Sequence, residues 1–365
     1  MTPPPSDAAR ATPPRTQFFG AVLWGMVAVL ALAAVWLAAF KLEHQIPFVD
    51  FQVLWTGGRM TPDEAYRQAF PYPPSALLLL APIARLGFGL AGPLWTGLTL
   101  AAFAGVSWRL LPECRRAVGL TLVVLTPGAA WAAVSGQASF LIGALVVSGT
   151  AMLERRPWLA GVALGAAAAV KPSDLVLAPV ALIAGRHWRA LCGAMLGGGA
   201  LVATSILVFG VEPWRAWVAA LSGFSSGVIQ SPRYFTAIIA PAGLALQLGL
   251  SGWVSLLWRG GFAVVGVVIA AGVFRRTDQL APRLTALIGA GFLASPYVMN
   301  YATTLLAPGA VLALMTAPAG RPRLFALAAF VALAVAGFPN VGAVAFLIFL
   351  ALALGPLMAP AALGA

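Results

Sequence analysis

FFGAVLWGMVAVLALAAVWLAAF, Phe18 to Phe40, carries no charged residue. Its length matches the ~20 residues that cross bilayer hydrocarbon as a helix. Backbone groups find no water to bond in lipid, so only helices and closed barrels span it. A barrel strand alternates polar and apolar residues with period two, and neither this stretch nor Gly261–Phe274 alternates. The stretch therefore reads as a first transmembrane helix. It is longer than the ~7–15-residue apolar core of a secretory signal, and no small-x-small cleavage site follows it, so the helix is expected to be retained.

The remaining sequence extends that reading. Of 365 residues, 61% are hydrophobic and only 9% charged, against ~25% charged in a soluble domain. So few charges cannot cover a water-facing surface. The net charge of +12 would suggest nucleic-acid binding in a soluble protein. No zinc-finger spacing, P-loop or aromatic RNA-binding signature accompanies it, and no nucleic-acid partner is expected. The arginines read instead as loop residues that set orientation. Cys114 and Cys192 give neither a disulfide framework nor a metal motif. His44 and His187 stand far apart and no Asp-x-Asp pair occurs, so neither a metal nor another cofactor is expected.

Orientation follows the loop arginines. Arg10 and Arg15 place the N-terminus in the cytoplasm. Arg115-Arg116, Arg155-Arg156, Arg186 with Arg189, Arg275-Arg276 and Arg321 with Arg323 mark each return. Helices fitted between these clusters predict crossings near 18–41, 92–111, 117–133, 138–153, 157–170, 174–185, 190–210, 252–274, 282–297, 301–317, 324–338 and 341–358. The fold class is thus an all-α polytopic membrane protein with about twelve transmembrane helices. Pro74–Leu86 and Thr236–Leu250 would put arginine pairs on the wrong side if they crossed. They are expected to lie as juxtamembrane or re-entrant helices at the outer face, in long loops of about 42–91 and 211–251. Residues 1–17 are expected to be a disordered cytoplasmic tail, 18–358 a single transmembrane catalytic domain, and 359–365 a second cytoplasmic tail.

This threading, made from arginines alone, collects six polar clusters on the outer side. They are Phe48-Val-Asp-Phe51, Tyr72-Pro-Pro74, Ser135-Gly-Gln137, Lys171-Pro-Ser-Asp174, Gln230-Ser-Pro-Arg-Tyr234 and Ser295-Pro-Tyr-Val-Met-Asn-Tyr301. Asp50 lies within apolar sequence and reads two ways: as the N-cap of a juxtamembrane helix, or as a general base held partly desolvated. Lys171 stands at a helix break, where a cation needs a partner or a ligand. Its partner is either Asp174 or a lipid phosphate. Arg233 and Arg59 could likewise hold phosphate oxygens bidentately, or could be interfacial snorkelling residues. Gln137 suits sugar hydroxyls or a helix turn. Asp63 and Glu64 follow Pro62 at a helix start, which favours capping.

These motifs, in this order over roughly residues 48–310, resemble glycosyltransferase family 87. The resemblance rests on Asp50-Phe51, Tyr72-Pro-Pro74 with its apolar run to Pro82, Gly136-Gln137, Lys171-Pro172, Gln230-Ser231 and Ser295-Pro296. It implies a C-type glycosyltransferase fold, a polyprenyl-phosphate sugar as donor (mannose first among the sugars), and a lipid, glycan or protein acceptor. It maps the family's base onto Asp50, with Lys171, Arg233 and Arg59 as donor-phosphate cations and inversion as the outcome. Tyr72, Gln137, Gln230, Tyr297 and Asn300 would bind substrate. It also implies a bacterial inner or plasma membrane, with the site facing the periplasm or cell exterior. Family members often follow Ser-Pro with a tryptophan and a histidine-containing segment. Here Tyr297-Val-Met-Asn300-Tyr301 has no histidine, so that task would pass to Asn300, Tyr301 or a cation elsewhere. The competing class is a multi-spanning lipid or small-molecule transporter or flippase, which should show paired halves or mid-membrane charges. Neither is evident in the sequence.

Overall fold

The computed structural model describes residues 14–68 and 70–358. The expected tail 359–365, and residues 1–13 of the expected tail 1–17, lie outside the described residues. The chain is helical, and among the described residues the sole strand-like pairing is an isolated antiparallel bridge between Ile238 and Met299. Nineteen α-helices follow in order: α1 (Pro14–His44), α2 (Val49–Arg59), α3 (Pro62–Arg67), α4 (Pro74–Ala84), α5 (Phe88–Leu110), α6 (Arg116–Val124), α7 (Pro127–Ser135), α8 (Ser139–Met152), α9 (Pro157–Val170), α10 (Ala178–Ala184), α11 (Trp188–Phe209), α12 (Glu212–Gln230), α13 (Pro232–Phe235), α14 (Pro241–Gln247), α15 (Gly252–Arg276), α16 (Leu280–Ala294), α17 (Ala307–Thr316), α18 (Arg321–Ala336) and α19 (Gly342–Met358).

Every apolar stretch predicted to cross is helical, and the two predicted to lie at the face are the short helices α4 and α14. Helix α1 begins at Pro14, ahead of the expected start at 18, so residues 14–17 belong to the helix and not to the tail; proline suits a first helical turn. Four helices are long and apolar enough to span a bilayer: Phe18–His44, Phe88–Leu110, Trp188–Phe209 and Gly252–Arg276. A fifth span results if α6 and α7, bent by 60° at their junction, count as one. The chain is an integral membrane protein.

Burial separates two kinds of helix. The long helices present apolar side chains outward: Trp24, Leu32 and Trp36 on α1, Leu207 on α11, and Leu256, Leu257 and Val264 on α15. Those faces suit lipid. The shorter α8, α16 and α17 fill the interior, with nearly every residue from Ala281 to Leu293 buried. Helices α9 and α11 meet backbone to backbone through Gly161 with Gly165 and Gly193 with Gly197. A Cβ on Gly161 would sit 2.0 Å from the Ala190 carbonyl oxygen, and one on Gly193 2.4 Å from that of Trp158. Two small-xxx-small faces permit this approach.

Prolines decide where helices break. Proline disfavours helical backbone in the residue before it. Lys171 and Ser295, preceding Pro172 and Pro296, accordingly end their helices with ψ of 79° and 142°, and Thr126, preceding Pro127, separates α6 from α7 with ψ of 146°. Lys171 and Ser295 are thereby held at breaks.

The bundle has two polar ends. At one end Arg115 and Arg323 lie over the Phe19 ring, and Arg115 donates to the Met315 carbonyl. Nearby chain connections carry a second network, in which buried Arg283 bonds Glu154 and Asp278 at 2.5 Å each. His187 stands in the α10–α11 turn 3.9 Å from Glu154, with its ring edge against Phe274. Burial first, then the Arg283 charge, lowers the pKa of His187 below its ordinary value. At the other end of α1, Lys41 donates to the Ser135 hydroxyl. Phe19 and Lys41 are ~33 Å apart along the helix at 1.5 Å per residue, close to the ~30 Å thickness of hydrocarbon.

Candidate functional site

The site at the Lys41 end is built around the start of α2. Phe48 caps α2 in a left-handed conformation, φ 58°, and its N–H donates to the Val134 carbonyl at 2.8 Å. Asp50 is therefore not the N-cap. It lies in the first turn, where the exposed N–H groups and helix dipole favour a carboxylate. The turn docks on Ser135-Gly136-Gln137. Gly136 ends α7 at φ +70°, and a Cβ there would stand 2.6 Å from the Phe51 Cβ. Only glycine meets both demands. Lys41 adds a buried cation beside this junction, 4.3 Å from the Trp131 ring centre. The sequence reading did not single out Lys41, because it stands at the end of an apolar run where a snorkelling lysine is ordinary.

The second half comes from the Lys171 break. Lys171 Nζ lies 3.0 Å from Asp174 Oδ2 and 5.6 Å from the Tyr301 ring centre. The ion pair has the distance of a salt bridge without hydrogen-bond alignment at that oxygen. The Ser173 hydroxyl donates to Asp174 Oδ1 at 3.3 Å. Asp174 is only 2% exposed, so its charge depends on Lys171.

Tyr72 joins the two halves. Burial, then the charges of Asp174 and Asp50, push its hydroxyl far above the ordinary tyrosine range, so it stays a neutral donor. Tyr297 lies within electrostatic reach of Tyr72 and Asp174, and Tyr301 within reach of Asp50 as well. The Tyr66 hydroxyl donates to the Tyr72 carbonyl at 3.0 Å, fixing the loop ahead of Pro73-Pro74. Helix α12 closes over this region: Trp217 donates to the Pro71 carbonyl, and Phe224 meets the Tyr297 ring with centres 6.0 Å apart. With Gly223, Gly227 and no long apolar run, α12 carries no clear signal in sequence.

Two carboxylates thus share the cluster in different circumstances. Asp174 is buried and paired. Asp50 is half-buried and, among the described residues, has no ion-pair or hydrogen-bond partner.

The other expected site residues fall as follows. Gln137 is buried beside Gly136, its N–H donating to Ala132. Asn300, 2% exposed, donates its amide to the Gly337 carbonyl, and its N–H bonds Ala237. It ties the second long loop to the bundle. Ser295 donates its hydroxyl to the Tyr297 carbonyl. Arg59 is exposed at the far end of α2, over the Trp55 ring and bonded to the Ala84 carbonyl; at 1.5 Å per residue it is ~14 Å along the helix from Asp50. The side chains of Gln230 and Arg233 lie outside the described residues. Glu64 forms a capping box with Thr61. No group of three or more His, Cys, Asp or Glu that could hold a metal ion occurs among the described residues.

Residues 70–296 match the family described as glycosyltransferase family 87. The chain is also 28% identical over 233 residues to the polyprenol-phosphate-mannose-dependent alpha-(1-2)-phosphatidylinositol pentamannoside mannosyltransferase of Mycobacterium tuberculosis (strain CDC 1551 / Oshkosh), covering 57% of this chain and 52% of that protein. The chain therefore spans about half the length of this curated relative. No solved structure matches it.

Proposed function

This chain belongs to glycosyltransferase family 87, and on that footing we propose that it transfers a sugar from a polyprenyl-phosphate donor to an acceptor hydroxyl, with Asp50 as general base. The observation that carries the reading is Asp50 itself. Among the described residues it is a carboxylate with no ion-pair or hydrogen-bond partner, within electrostatic reach of a neutral Tyr72, while the neighbouring Asp174 is neutralised by Lys171. Mannose is the proposed sugar and a glycolipid the proposed acceptor class, in keeping with the mycobacterial relative's name.

In the proposed reaction the acceptor oxygen bonds to the anomeric carbon as the bond from that carbon to the phosphate oxygen breaks. Asp50 takes the hydroxyl proton, and polyprenyl phosphate leaves with the bonding electron pair. One displacement inverts the anomeric configuration. Lys171 is placed by this reading near the departing phosphate, where a fixed cation favours developing charge. Tyr72, Gln137 and Tyr297 would orient sugar hydroxyls. Asn300 would act through the backbone it holds. The C-type glycosyltransferase fold, about twelve crossings, and a site facing the periplasm or cell exterior complete the proposal. The opposed polar ends and outward apolar faces of α1, α11 and α15 support it.

The test is transfer of radiolabelled mannose from polyprenyl-phosphate-mannose to extracted cell lipids, in membranes carrying the wild type or Asp50→Asn. We expect transfer by the wild type and its loss in a variant of unchanged thermal stability. Full transfer by Asp50→Asn would remove Asp50 as the base.

A further inference from the structure

Arg259 stands in α15 seven residues from Gly252, or ~10 Å from that end of the helix. Its neighbours Leu256 and Leu257 project outward as lipid-facing residues. Among the described residues, Arg259 has no ion-pair, hydrogen-bond or ring partner. A cation this far along a membrane-spanning helix is costly unless it snorkels to the headgroups or an anion meets it. Arg259 also lines a groove of about 210 Å³ between α14, α15 and α16. The groove exists because small residues, Gly260, Ala263, Ala242 and Ala294, line it. A Cβ on Gly260 would meet nothing within 4 Å. Trp258 fixes the walls by donating to the Pro241 carbonyl at 3.0 Å.

We propose that this groove is the docking site for a lipid phosphate, held by Arg259, with the lipid's tail along the exposed apolar face of α15. A guanidinium suits phosphate oxygens bidentately, and a lipid brings its phosphate to an apolar helix face such as that of Leu256 and Leu257. The groove also leads to the reacting cluster. Ser295 is part of its wall and bonds the Tyr297 carbonyl, and Tyr297 lies within electrostatic reach of Tyr72 and Asp174. Resting on the function proposed above, this makes the groove the portal through which the polyprenyl-phosphate donor is captured. It also adds a second cation along the phosphate's path, since Lys171 shares its charge with Asp174 and Arg59 is bonded at the far end of α2.

The test uses the full chain in phosphatidylcholine nanodiscs and a sugar-free photoreactive polyprenyl phosphate, so that it reads binding whether or not transfer is detected. Arg259→Gln is expected to weaken labelling about tenfold or more, and Arg259→Lys, which keeps the charge but not the bidentate fork, to weaken it less. Gly260→Leu, whose Cβ would meet nothing within 4 Å and whose side chain would occupy the groove, is expected to weaken it with the melting temperature nearly unchanged. Equal labelling of the wild type, Arg259→Gln and Gly260→Leu would overturn the proposal. Competition by equimolar phosphatidylglycerol would assign the same phosphate site to bulk phospholipid and overturn the donor portal. Arg259-dependent labelling by a chain that transfers no mannose would uphold the lipid-phosphate site and count against the proposed reaction.

Discussion

Gly136→Ala is a small change with a large expected effect. A Cβ at this position would stand 2.6 Å from the Phe51 Cβ, whereas ordinary contact begins at 3.4 Å. The first turn of α2 must therefore retreat by about 0.8 Å, or α7 must do so. The φ of +70° adds a left-handed penalty of ~1–2 kcal/mol for a residue with a side chain. Asp50 neighbours Phe51 on the same turn, so the retreat displaces the proposed base by a similar distance. A misplacement of ~1 Å costs about a hundredfold in rate when geometry is tight. We expect kcat for mannosyl transfer to fall by about two orders of magnitude, with stability lowered by about 2–5 kcal/mol, the left-handed penalty added to the cost of overpacking. The assay is steady-state transfer by purified protein in nanodiscs, alongside its melting temperature. Gly105→Ala serves as control, since its Cβ would meet nothing within 4 Å in the middle of α5; it should leave both readings nearly unchanged. A folded Gly136→Ala enzyme with kcat within threefold of wild type would refute the claim that the α2–α7 junction positions Asp50.

Two further expectations concern charge. Lys171→Met should destabilise the protein by about 3–5 kcal/mol, because it leaves Asp174 buried and unpaired, whereas Lys171→Met with Asp174→Leu should recover much of that loss in a thermal-melt double-mutant cycle; strictly additive effects would show that the pair does not act as one unit. At the opposite end, the lowered pKa of His187 means that the unfolded chain binds its proton more readily than the folded one. Stability should therefore be full above the ordinary histidine pKa of ~6.5 and fall as pH drops through the range below it. Melting curves of His187→Gln should show a shallower acid slope than wild type, and an unchanged slope would assign it to other groups.

Much of the architecture was legible in the sequence because hydropathy and proline act locally. The stretch predicted at 157–170 is α9 at Pro157–Val170, and that at 341–358 is α19 at Gly342–Met358. The breaks at Lys171 and Ser295 follow from the prolines after them. The capping role expected of Glu64 was readable for the same reason, although its partner Thr61 was not named and Asp63 takes no part in the box. Asp50 stood out as a carboxylate in apolar surroundings, but its neighbours could be grouped only by threading a membrane through arginines.

The sequence by itself determined that the chain is helical and apolar enough for lipid, and which residues stand at helix breaks, since each depends on a residue and a few chain neighbours. Tertiary structure alone decided which polar groups are already occupied. Asn300 is tied to Gly337 and Arg59 to Ala84, Lys171 is paired with Asp174, and Lys41 is bonded to Ser135 across 94 residues of chain. Asp50 and Arg259 are left without partners among the described residues. A hydrogen bond or ion pair is a matter of a few ångströms between atoms, and that distance is set by how α2, α7, α9 and α16 pack, which no local pattern records.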